Sequence, residues 1–179
     1  MGRFDTLQVI DAQGRLVGED PGFDPQLYQR MYRDMVLARE LDRRMLALQR
    51  QGRIGSYAML EGQEAVQVGS ALALEPDDFV FPSYREHGVQ ITRGLPMEVL
   101  LAYWKGLPND RWDPEKYRTG IITVPIASQL PHAVGYSYIT KMRGERTVTA
   151  VYFGDGATSE TDFHSGMNFA GVWKTPTVF

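Results

Sequence analysis

Thr147-Val-Thr-Ala-Val-Tyr-Phe153 runs straight into Gly154-Asp-Gly156. The first seven residues are β-branched, small or aromatic and carry no charge, the pattern of a parallel strand covered on both faces. In such sheets ligands bind in the crevice beyond the carboxyl ends of the strands, and glycines let backbone amides approach a phosphate. An aspartate held there suits Mg²⁺, a hard cation that prefers one or two carboxylates plus substrate phosphates. The same tripeptide also reads as a tight strand-to-helix turn whose aspartate caps the next helix.

Outward from this segment, strand and helix alternate. Residues 159–173 read as a helix, and Pro176-Thr-Val-Phe179 opens another strand. Upstream, 127–143 carries small and apolar residues at helical spacing and stops at Gly144. The alternation predicts an α/β fold, a doubly wound parallel sheet with flanking helices. Residues 106–123, rich in glycine, proline and charge, read as a surface loop, and Phe79-Val-Phe81 as a short buried strand. That strand delivers the polar cluster Ser83-Tyr-Arg-Glu-His-Gly88, followed by helices over 89–93 and 96–105 that break at Gly94. A small-residue helix spans 62–74 and stops at Pro76. The longest helix opens with Asp24 as cap and Pro25 at the first position. It carries Leu27, Met31, Met35, Ala38, Leu41, Met45 and Leu48 as one buried stripe until Gly52. Residues 1–22 pair as a hairpin or lie as an arm on another surface, and 23–179 form the main domain.

With 179 residues, 43% hydrophobic and 23% charged, the chain has the composition of one ordinary globular domain. A formal charge of −3 with no long run of either sign argues against nucleic acid or a membrane surface as partner. The absence of cysteine excludes disulfides, thiolate nucleophiles and cysteine-bound metals, and fits a cytoplasmic setting. No apolar stretch approaches the roughly 18 residues a membrane span needs, and the opening Met1-Gly-Arg-Phe-Asp lacks an apolar signal core.

Four blocks stand in one order: Gly62-Gln-Glu-Ala65, Phe81-Pro-Ser-Tyr-Arg-Glu-His-Gly88, Val124-Pro-Ile-Ala-Ser-Gln-Leu-Pro131, and Phe153-Gly-Asp-Gly-Ala-Thr-Ser-Glu160 with Asn168-Phe-Ala170. Together they resemble the alpha subunit of the thiamine-diphosphate-dependent 2-oxo acid dehydrogenases, the first components of the pyruvate and branched-chain 2-oxo acid dehydrogenase complexes. The resemblance implies that Tyr84 and Arg85 contact the cofactor diphosphate, which suits a phenol and a guanidinium fork. It implies that Asp155 ligates Mg²⁺, that Gly156 and Ala157 lend backbone near the diphosphate, and that Val124 and Ile126 lie against the thiamine. Ser128 and Gln129 match positions that hold a monovalent cation in some relatives. His87 follows the Tyr-Arg pair and is a candidate to face substrate. His132 and His164 read as hydrogen-bonded structural histidines on helices. Glu64 and Glu160 read as helix N-terminal carboxylates rather than catalytic groups.

The reaction so implied is oxidative decarboxylation of a 2-oxo acid with acyl transfer to a lipoyl group on an acyltransferase core. The activating glutamate is expected on a beta subunit, within an alpha2/beta2 heterotetramer. The connection 106–123, with Trp112-Asp-Pro114, is similar to that of some bacterial branched-chain enzymes, and this resemblance favours a branched-chain 2-oxo acid over pyruvate. An acetoin-type dehydrogenase subunit and a non-catalytic interaction module are the alternatives. The chain departs from the family pattern in Thr161, where glycine is usual, and Ser165, where an acidic residue is common. The asparagine that closes the Gly-Asp-Gly motif as a second Mg²⁺ ligand falls beyond Phe179. The expectation is therefore the amino-terminal half of a longer subunit, inactive by itself.

Overall fold

The computed structural model describes residues 7–108 and 110–179. Residues 7–30 and 31–179 form two compact units. In the first, Ile10 and Leu16 pair antiparallel, and Gly14, at φ +77°, lets the chain reverse. The Asp11 carboxylate accepts from Gln13 N and Arg15 N, both at 2.9 Å, so the turn is held by an Asx contact within a hairpin. The opening residues 1–6 lie outside the described range.

The long helix α1 spans Pro25–Arg50. Asp24 caps it, accepting from Gln26 N at 2.7 Å. Ala38 and Met45 of the apolar stripe are buried, and so is Asp42, a residue that periodicity alone places without a reason. Its carboxylate accepts from Tyr57 Oη (2.8 Å), Leu60 N (2.9 Å) and Glu61 N (3.2 Å), which pins the segment after the helix onto α1. A carboxylate loses its hydration on burial, and three donors restore most of it.

Helices α2 (Glu64–Leu72), α3 (His87–Thr92), α4 (Met97–Trp104), α5 (Pro114–Tyr117), α6 (Gln129–Met142) and α7 (Thr161–Trp173) follow, with strands β1 (Phe79–Phe81), β2 (Thr149–Val151) and β3 (Thr177–Val178) between them. The strands are all parallel, in the order β1-β2-β3, with Val80 opposite Ala150 and Ala150 opposite Val178. Successive strand residues face opposite ways. Val80 and Ala150 meet Ala71 of α2 and Val89 of α3 on one face. Phe81 and Val151 meet Leu130 and Ala133 of α6 on the other. Helices thus cover both faces, which explains why β1 is apolar without alternation and β2 is buried at every position. Gly166 lets α7 approach α6: a Cβ there would stand 3.1 Å from Leu130 Cβ. Among the described residues no helix is long and apolar enough to cross a membrane.

The segment 106–123 is a surface loop in part only. Trp112, Thr119 and Ile122 are buried, and Trp112 and Ile122 join Leu95, Val99 and Leu100 in one core cluster. Thr119 pairs in parallel with Val80, through Val80 N to Arg118 O (2.9 Å) and Gly120 N to Val80 O (2.8 Å). The polar residues around it hide this role, because edge pairing satisfies backbone groups whatever the side chains are.

Candidate functional site

Three parallel segments end at the same edge of the sheet. Beyond β1 the chain enters Ser83-Tyr-Arg-Glu86, beyond β2 it enters Phe153-Gly-Asp-Gly156, and beyond the Thr119 pairing it reaches Ile126 and Ala127. These turns and Gln63, just ahead of α2, enclose a cavity of about 350 Å³. Parallel direction is what brings them together, since every strand presents the same end to this edge.

Arg85 is half-buried on the cavity wall. One guanidinium nitrogen, Nη1, donates to the Met59 carbonyl at 2.7 Å, and its plane lies over the Tyr84 ring, 5.4 Å from the centroid. The rest of its N–H fork has no partner among the described residues. Tyr84 rests its ring against the Leu95–Leu100 cluster. Glu86 shares the wall, but one of its carboxylate oxygens accepts from Ser83 N at 2.6 Å.

Asp155 is exposed at the start of a 3₁₀ turn, Asp155–Ser159. It does not cap the following helix: α7 begins after Glu160, and the Asp155 carboxylate accepts from no described residue. A Cβ added at Gly154 or Gly156 would meet no atom within 4 Å, so the backbone here is open to a ligand. A partner-free carboxylate, an arginine fork with donors to spare and bare glycine backbone fit a diphosphate carrying Mg²⁺. No three His, Asp or Glu side chains converge among the described residues, so the chain would offer a metal this carboxylate rather than a closed cage.

Ile126 lines the cavity and is 49% exposed, and Val124 is 53% exposed outside it. Neither is a core aliphatic. Ala127, buried at the turn into α6, holds φ +67°, a left-handed conformation that costs a residue with a Cβ about 1–2 kcal/mol. Gln129 is buried: its Nε2 donates to Tyr152 O at 2.7 Å, while its Oε1 has no partner among the described residues. Ser128, outside the cavity lining, donates from Oγ to Pro125 O at 2.8 Å.

His87 does not face the cavity. It is 1% exposed, accepts from Trp104 Nε1 at 2.8 Å and packs against the rings of Tyr57 and Trp104. Burial holds its pKa down at about 4; the Arg85 carbonyl opposes this shift and the Arg85 guanidinium adds to it. A neutral packed imidazole replaces the substrate-facing group that its neighbourhood in sequence suggested. His132 and His164 are exposed and make no hydrogen bond to a described residue, so neither is a buried structural histidine. Glu64 sits in the first turn of α2 as expected, accepts from Gly62 N and pairs with Arg39. That hydrogen bond from Arg39 holds its carboxyl down at about 2. Glu160 stands at the N-cap of α7 without a side-chain cap bond.

The cavity gathers Tyr84, Arg85, Ile126, Gln129, Asp155, Gly156 and Ala157 and leaves out Val124 and Ser128. Gln63, Ser83, Glu86 and Phe153 also line it. All four lie inside the sequence blocks singled out above, and block membership was the one signal that could have found them.

Residues 32–179 match the family model described as dehydrogenase E1 component. The chain is 37% identical, over 179 residues, to the pyruvate dehydrogenase E1 component subunit alpha of Bacillus cereus, covering 99% of this chain and 48% of that protein. It is 40% identical, over 189 residues, to the mitochondrial 2-oxoisovalerate dehydrogenase subunit alpha 1 of Arabidopsis thaliana (99% and 40% covered). The corresponding mitochondrial alpha subunit of Dictyostelium discoideum is 39% identical over 182 residues (96% and 41% covered). The chain spans less than half the length of these relatives.

Proposed function

Because the chain belongs to the dehydrogenase E1 component family, we propose that its cavity is the alpha-subunit half of a thiamine diphosphate site in a 2-oxo acid dehydrogenase. The substrate is a branched-chain 2-oxo acid in preference to pyruvate, and the acyl group passes to a lipoyl group on an acyltransferase core. Residues 23–179 then form a thiamine-diphosphate-binding domain on a doubly wound sheet, paired with a beta subunit in an alpha2/beta2 heterotetramer.

One observation carries this reading: the unpaired Asp155 carboxylate and the spare donors of Arg85 line one cavity where parallel strands end. In the proposed site Arg85 and Tyr84 hold the diphosphate, and Asp155 takes Mg²⁺, whose remaining ligands come from phosphate oxygens and other groups. Gly156 and Ala157 supply backbone beside the diphosphate. Ile126, exposed and aliphatic, supports the thiamine with Val124 nearby. Gln129 Oε1, buried without a donor, and Ser128 supply oxygen ligands to a monovalent cation. Bound thiamine diphosphate supplies the carbon nucleophile and electron sink for decarboxylation, and the protein supplies position and electrostatics.

Calorimetric titration of thiamine diphosphate with Mg²⁺ into the chain, alone and with a beta subunit, tests the assignment. Binding that requires beta and disappears in Asp155→Ala is the expected result. A folded sample that gives no heat in any mixture overturns it.

A further inference from the structure

Gln67 lies on α2, is 2% exposed, and uses all of its amide. Its Oε1 is 2.9 Å from Gly88 N, and its Nε2 is 3.0 Å from Arg85 O and 3.1 Å from the side-chain oxygen of Gln63. The two ends of a glutamine amide look alike, but its neighbours here do not. A backbone N–H can only donate, so the Gln67 atom facing Gly88 is oxygen. A backbone carbonyl can only accept, so the atom facing Arg85 is the NH₂. The second hydrogen of that NH₂ then requires an acceptor, which fixes Oε1 of Gln63 toward Gln67. Gln63 is thereby left with its own NH₂ free, on a residue that lines the cavity and finds no other partner for that group among the described residues. Gly88 is part of the arrangement, because a Cβ there would stand 2.8 Å from Gln67 Oε1.

We infer that Gln63 donates a hydrogen bond to an anionic oxygen of the bound ligand, a phosphoryl oxygen of the cofactor or the carboxylate of the 2-oxo acid, and that Gln67 is the positioning residue that aims it. The inference rests on the cofactor reading above. A neutral donor adds to the attraction of Arg85 for an anion without adding a charge that needs a counter-ion. A carboxylate at 63 would accept from Gln67 equally well but would set a negative oxygen against the ligand.

The test uses the protein assembled with its beta subunit, in Gln63→Glu, Gln63→Met, Gln67→Met and the Gln63→Met/Gln67→Met double variant. Calorimetry gives Kd for thiamine diphosphate with Mg²⁺, and steady-state kinetics give KM and kcat for the 2-oxo acid. Gln63→Glu is expected to raise one of the two constants by about tenfold or more and Gln63→Met by about three- to tenfold. A change in Kd identifies the phosphoryl oxygen, and a change in KM at constant Kd identifies the carboxylate. The double variant is expected to bind no more weakly than Gln67→Met, because an unaimed donor has nothing left to lose. Full additivity overturns the positioning role. If the unsubstituted protein binds cofactor and both Gln63 variants leave Kd and KM within about twofold, a range below one hydrogen bond, the assignment fails by itself. If the unsubstituted protein binds no cofactor, the site reading fails and takes this assignment with it.

Discussion

Lowering the pH from 7 toward about 4.5 should destabilise this protein through His87. The imidazole is buried against Tyr57 and Trp104, and burial, the largest influence, holds its pKa at about 4 against an ordinary 6.5. The folded pKa is the depressed one, so between 6.5 and 4 the unfolded chain binds a proton that the folded chain refuses. Stability is therefore full above 6.5, falls as pH drops through this window, and levels off below the folded pKa. A difference of about 2.5 pH units corresponds to about 3 kcal/mol at 1.36 kcal/mol per unit. Glu64, with its carboxyl held down at about 2, acts only below its unfolded value of 4.5. Urea unfolding followed by tryptophan fluorescence, at steps between pH 7 and about 4.5, gives the slope. His87→Gln keeps an acceptor for the Trp104 indole and removes the titration, so its stability should be nearly flat across the window. Equal slopes in the two proteins would refute the placement of His87 as a neutral core residue.

Asp42→Ala leaves Leu60 N–H and the Tyr57 hydroxyl without their acceptor, at a cost of about 3–5 kcal/mol in urea unfolding; a loss under about 1 kcal/mol contradicts the three-donor account. Gly88→Ala puts a methyl 2.8 Å from Gln67 Oε1 and 3.2 Å from Gln67 Cβ. It should cost about 1–3 kcal/mol in thermal unfolding despite the better helix propensity of alanine, and unchanged stability would show that Gln67 moves freely. The carboxyl of Glu64 is held low chiefly by its hydrogen bond from Arg39, so its stabilising effect is present above pH 4.5 and is lost as pH falls toward 2. Acid titration of Glu64→Gln should show a shallower loss over that range, and an identical acid limb would disprove the pairing.

Residues close in sequence were legible where local periodicity or a turn residue dictates structure. The stripe on α1 repeats every three to four residues and forms a helix ending at Arg50, one turn residue short of Gly52. Thr147–Phe153 lacks charge, and its centre is a strand with helices on both faces, although only Thr149–Val151 holds the ladder. Asp155 was legible as a candidate because Gly-Asp-Gly follows a strand end; the sequence left a helix-capping role equally open, and only the structure shows the carboxylate exposed and away from the start of α7.

The order of strands and helices, and the residue types delivered to the ends of β1 and β2, follow from backbone preference and side-chain patterning over a few neighbours, and both can be read along the chain. Tertiary structure alone decided which polar residues are buried and what they face. Asp42 is a core acceptor only because residues 57–61 fold back on it, His87 is a core ring only because Trp104 lies 17 positions later at its Nε2, and Gln63, on the cavity wall, has its Oε1 engaged only because Gly88 and Arg85 dictate the amide of Gln67. A buried polar group is stable only with its partner in place, and those partners come from distant parts of the chain.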